Sequence, residues 1–154
     1  MQGFLLFTFM QRIDTLRRRL YFGDLDLAAI TGTIALAAIE APMREAAFRE
    51  EYRSLDTMIG VDGQRGVNAT SVAAATGIPR QTVRRKIGKL LSLGALVEVG
   101  ASAYVVKPGF LQRPGTREPQ EEAFQYMIQL FNDCLRHEIV ELAPPPAAKG
   151  RRRS

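Results

Sequence analysis

The sequence predicts a mainly helical fold carrying one small β-hairpin. Three observations predict it. Apolar residues recur at three- and four-residue intervals along most of the chain, a valine-rich stretch near residue 100 is split by a glycine-containing turn, and Asn68, Gly77, Pro79 and Gly94 punctuate the segment before that turn. The 154 residues fit one compact domain with extensions, and 46% apolar content is enough for a buried core.

The first helix is expected over residues 3 to 21, within an N-terminal segment 1–22. Met10, Ile13, Leu16 and Leu20 lie near one face, and Arg17, Arg18 and Arg19 follow. Its apolar end, with Phe4, Leu5, Phe7 and Phe9, is more than a lone helix can shield. That end packs either on the C-terminal helix or on a second subunit. A second helix spans Asp26 to Ile39 with Leu27, Ile30 and Ile34 on one stripe, and its many alanines permit close packing. Pro42 interrupts the pattern, and a charged third helix over 43–56 carries Phe48, Tyr52 and Leu55 on one side. Gly60, Gly63 and Gly66 mark a connector, so the stretch of about 43–64 reads as a helical insertion.

From Val67 the local chemistry is more explicit. Asn68 is a good N-cap for a helix ending at Thr76, because its side-chain oxygen can accept from a free N–H of the first turn. Gly77 can adopt positive φ and re-aim the chain, and Pro79 suits the first turn of a helix over about 79–93. On that helix Val83, Ile87 and Leu90 share one face, while Gln81, Arg85, Gly88 and Lys89 point away. Gly88 is either tolerated at a cost of about 1 kcal/mol or leaves room for another backbone. Gly94 ends the helix, and "ALVEVGASAYVVK" reads as two strands joined at Gly100–Ser102. A C-terminal helix at 118–142 is expected from the helical spacing of Phe124, Met127, Ile128, Phe131 and Leu135. Residues 143–154, "APPPAAKGRRRS", read as a disordered basic tail.

The formal charge of +5 favours an anionic partner without distinguishing nucleic acid, acidic protein or membrane surface. Its placement discriminates. No acidic residue occurs from Gln64 through Val97, which contains Arg80, Arg84, Arg85, Lys86 and Lys89, whereas the flanking helices mix both signs. One cysteine, Cys134, excludes an intrachain disulfide and fits a reducing, cytoplasmic compartment. The opening "MQGFLLFTFMQR" lacks a basic n-region and a small-residue cleavage site, so neither secretion nor a membrane span is expected. Cys134 and His137 form a C-x-x-H without further ligands, and the adjacent Glu121 and Glu122 diverge on a helix. No enzyme chemistry, metal or cofactor is expected. The alanine-rich helices offer no convergent polar group that would identify an effector ligand.

Ala73, Gly77, Ile78, Thr82, Val83, Leu90, Gly94 and Leu96 fall at spacings that resemble a winged helix-turn-helix module of the sort found in bacterial MarR-like and IclR-like transcriptional regulators. The resemblance covers about residues 67–107, with the 26–39 helix standing as the module's first helix, and implies a winged domain over 24–109. It departs at Thr76, where such modules usually place a leucine, and at the inserted third helix. It implies duplex DNA as partner, with the 79–93 helix in the major groove. Gln81 and Arg85 would then read bases, adenine and guanine respectively. Arg80, Thr82, Arg84, Lys86 and Lys89 would hold phosphates. The hairpin tip, with Ser102 and Tyr104, would lie over the backbone or minor groove and contribute neutral hydrogen bonds, Lys107 being the nearest cation. A homodimer joined through the N- and C-terminal helices is expected. The competing reading is a winged-helix module that docks an acidic protein partner with the same basic face.

Overall fold

The computed structural model describes residues 1–54 and 56–142. Leu55, placed by its spacing on the third helix, and the tail at 143–154 lie outside the described residues. Six helices and a three-stranded antiparallel sheet follow in the order α1 (Gln2–Leu20), α2 (Leu25–Ile39), α3 (Ala46–Glu51), β1 (Val67–Asn68), α4 (Ala69–Thr76), α5 (Arg80–Ser92), β2 (Leu96–Val99), β3 (Ala103–Val106) and α6 (Pro114–Arg136). Among the described residues no single helix is long and apolar enough to cross a membrane.

The core forms where α2, α4 and α5 pack on one another, with α2 also lying on β3. Leu27, Ile30 and Ile34 of α2, Val72 of α4, and Val83, Ile87 and Leu90 of α5 are buried together. The three- and four-residue spacings place each set on one side of its helix, so these helices can bury a stripe and leave polar residues outside.

Local chemistry sets where the helices begin and end. The Asp24 carboxylate accepts from the Leu27 N–H at 3.3 Å and starts α2. The Asn68 side chain accepts from the Ser71 N–H at 2.9 Å and starts α4. Gly77, at φ 72°, ends α4 with its N–H donating to the Ala73 carbonyl at 2.9 Å, a conformation that costs most other residues steric strain. Pro79 precedes α5 rather than opening it, and its carbonyl accepts from the Val83 N–H at 3.0 Å.

The sheet order is β1–β3–β2, with Leu96 opposite Val106, Val99 opposite Ala103, and Val67 opposite Tyr104. The hairpin matches the expected one. The added strand β1 has only two residues and therefore no alternation that a sequence pattern could reveal. It approaches the hairpin closely because residue 66 is glycine. A Cβ there would stand 2.8 Å from the Ala103 Cβ and 2.9 Å from the Val99 Cγ2.

Two helices differ from expectation. In place of one helix over 43–56, a 3-10 turn at Pro42–Arg44 leads to an extended Glu45 and the six-residue α3. None of the residues of α3 is buried, although the Phe48 and Tyr52 rings lie 4.4 Å apart, so little tertiary packing is present to extend so short a helix. The C-terminal helix runs over Pro114–Arg136 rather than 118–142. Pro114 fits the first turn, Thr116 and Pro119 are buried, and Glu138 beyond the end adopts φ 53°. Ile139, Val140 and Leu142 continue the apolar character without continuing the helix.

α1 packs antiparallel along α6: Arg19 bonds Glu122 at 3.1 Å, and Arg12 bonds Gln129 at 2.6 Å while its guanidinium sits 4.9 Å from the Tyr126 ring centre. Leu5, Phe9 and Leu130 line the seam. Phe4, Phe7 and Met10 on α1, and Phe124, Met127 and Phe131 on α6, remain exposed.

Candidate nucleic-acid interface

The buried Val83, Ile87 and Leu90 orient every other side chain of α5. At about 100° per residue, Gln81 and Arg85 stand opposite that stripe, Arg80 and Arg84 on one flank, and Thr82, Lys86 and Lys89 on the other. Gln81 and Arg85 are exposed. A Cβ at Gly88, on the same outward ridge, would meet nothing within 4 Å, so no neighbour inside the chain requires the glycine.

Arg80 and Arg84 face the hairpin. With Ser102 and Tyr104, and with Asn68, Thr70 and Ser71 at the start of α4, they line an open groove of about 690 Å³. Three elements meet here because Gly77 turns α5 back against α4 and β1 pairs with β3 beside the tip. At that tip Gly100 and Ser102 adopt φ 59° and 60°, which bends the hairpin sharply. The groove combines guanidinium donors, hydroxyls and the first turn of a helix, a donor set suited to a phosphate. Lys107 lies beyond the far end of β3, where its N–H donates to the Ala95 carbonyl, and is not among the groove residues.

On the opposite flank Lys89 is exposed and shares a shallow surface with Arg18, Phe22, Asp24 and Asp26. Thr82 is half-buried on that flank. Among the described residues, Arg80, Arg84, Arg85 and Lys89 form no ion pair.

Lys86 requires a correction. Its side chain is only 12% exposed, and its ammonium stands 2.6 Å from both Asp24 carboxylate oxygens and 3.3 Å from Asp26 Oδ2. It is therefore engaged inside the chain rather than free on the outward face. Asp24 is 62 positions away, so a charge count along one segment misses it. Arg18 and the polar start of α4, which border the α5 surface, were not singled out from the sequence. The 17–19 arginine run was visible in the sequence, but only the turn into α2 brings Arg18 beside Lys89.

The hydrogen bond from Lys86 holds the Asp24 carboxyl below its ordinary 3.8, and Asp24 in turn raises the Lys86 ammonium above its ordinary 10.5. A carboxyl with a depressed folded pKa stabilises fully above its unfolded value and loses that contribution as pH falls through the folded one. An ammonium with a raised pKa contributes fully below its unfolded value and loses the contribution as pH rises through the folded one. The stability of the parent relative to Asp24→Asn, followed by thermal unfolding, is expected to be level from about pH 5 to about pH 9 and to shrink below about pH 3.8. A difference still growing at about pH 3 would contradict the pairing.

Cys134 is half-buried and His137 exposed near the end of α6. Glu121 pairs with Arg117, and Glu122 accepts from Tyr126 and Arg19. No group of three His, Cys, Asp or Glu able to hold a metal ion occurs among the described residues.

No family model matches the chain, and neither a curated protein nor a solved structure matches it.

Proposed function

We propose that this protein is a winged helix-turn-helix regulator of transcription that binds duplex DNA sequence-specifically as a homodimer. The observation that carries the reading is the division of α5 into an exposed Gln81–Arg85 ridge and an unpaired Arg80–Arg84 flank that shares one groove with the hairpin tip. A helix fits the major groove of B-DNA, where an outward Arg can bond guanine and a Gln adenine through paired hydrogen bonds. Arg80 and Arg84 then hold one phosphate strand with Ser102, Tyr104 and the start of α4. Lys89 and Arg18 face the other. Thr82 adds a hydroxyl on that second flank.

The exposed phenylalanines and methionines of α1 and α6 support self-association, since apolar residues clustered on two adjacent helices mark an interaction surface. Two-fold pairing would present two α5 helices to half-sites about 34 to 36 Å apart. No cofactor, metal or membrane enters the reading. The lone Cys134 fits a cytoplasmic setting.

One observation keeps docking of an acidic protein by the basic face of α5 as the second reading: the hairpin from Leu96 to Val106 carries no Lys or Arg and displays Glu98, so it adds no cation for a phosphate strand. Paired variants separate the two. Arg85→Ala is expected to relax preference at one base and to weaken the preferred site alone by about 1 to 3 kcal/mol. Arg84→Ala is expected to weaken all duplexes alike and to reduce the log–log salt slope by about one unit. Equal weakening of every duplex by both variants would remove Arg85 from base reading and favour the protein-docking alternative.

A further inference from the structure

Lys86 belongs to the basic segment that holds no acidic residue, yet its side chain is only 12% exposed and its charge is engaged inside the chain. An ammonium carries three N–H donors. Two of them go to the Asp24 oxygens at 2.6 Å, and Asp26 Oδ2 stands 3.3 Å from the same ammonium as a second counter-charge. Asp24 is itself fixed, because its Oδ1, one of the two oxygens bonded to Lys86, also accepts from the Leu27 N–H at the start of α2. The contact therefore ties the middle of α5 to the first turn of α2, on the flank next to the outward ridge.

We propose that Lys86 is a positioning residue for the DNA-reading helix, with Asp24 and Asp26 as its fixed counter-charge, and that it does not neutralise a phosphate. This rests on the DNA-binding reading above. One consequence follows from the geometry. The pair resists rotation of α5 about its axis, which would carry Arg85 and Gln81 off their bases, so it acts on discrimination between sites.

The salt dependence of binding distinguishes a positioning lysine from a phosphate ligand, because only the latter releases counterions from DNA. Binding of the full chain to its selected duplex and to a scrambled duplex is measured across salt concentrations for three proteins. Lys86→Met is expected to keep the parent slope while losing at least about tenfold in discrimination between the two duplexes. Asp24→Asn combined with Asp26→Asn keeps an N-cap residue on α2 but releases Lys86. Its slope is expected to steepen by about 0.9 and its affinity for the scrambled duplex to rise. Loss of about one unit of slope in Lys86→Met overturns the inference and leaves the DNA-binding reading standing. If Lys86→Met lacks a cooperative thermal transition, the double Asn variant decides, and an unchanged slope there overturns the inference. A parent protein that binds neither duplex in a salt-dependent way overturns the functional reading and this inference together.

Discussion

Charging the exposed faces of α1 and α6 with Phe7→Glu and Phe131→Glu is expected to convert the proposed dimer into a monomer of 17.1 kDa by light scattering. Phe7 is 72% exposed and Phe131 48% exposed, so neither substitution empties the core that holds the chain together. In a two-fold interface each residue is met twice, which places four like charges in one apolar contact. Loss of the second half-site turns two linked binding events into one, and the affinity for a two-half-site duplex is expected to fall about 10²- to 10⁴-fold. An unchanged dimer carrying both substitutions would contradict the assignment of the interface to these helices. The Leu5, Phe9 and Leu130 seam within the chain would stand in either case.

Leu90→Ala is expected to destabilise the fold by about 2 to 5 kcal/mol, read as a lowered denaturant midpoint at constant slope. Leu90 is fully buried where α5 meets α2 and α4, and truncation leaves a cavity that this helix layer can only partly close. Against a total stability of about 5 to 15 kcal/mol, the variant approaches unfolding. Leu93, three residues on and 40% exposed, is the control, with an expected effect of about 0.5 kcal/mol or less on substitution by alanine. Equal effects at Leu90 and Leu93 would mean that α5 does not present the face inferred for it.

Legibility in the sequence followed the range of the forces concerned. Asn68, Gly77 and the Val83–Ile87–Leu90 stripe act within one or two helical turns, and both the α4–α5 pair and the hairpin follow from such short-range rules. The alternatives for the N-terminal apolar cluster are partly resolved along one helix: Leu5 and Phe9 meet α6, while Phe4 and Phe7 stay exposed. What escaped was non-local. The partner of Lys86 lies across the core, Arg18 reaches the α5 surface through a turn that no local pattern encodes, and β1 exists only because β3 is beside it. The ends of α6 were misplaced for a related reason. Apolar residues beyond Arg136 continue in composition, and nothing in their spacing reports the left-handed Glu138 that ends the helix.

The central claim is that α5 reads base sequence in duplex DNA, and selection of the full-length protein against a pool of random-sequence duplexes tests it most directly. The predicted result is an enriched motif of two inverted half-sites about 10 base pairs apart, centre to centre, containing a guanine whose enrichment is lost in the Arg85→Ala protein. Recovery of a pool with no enriched motif, after rounds in which the protein demonstrably retains its fold, would contradict the claim.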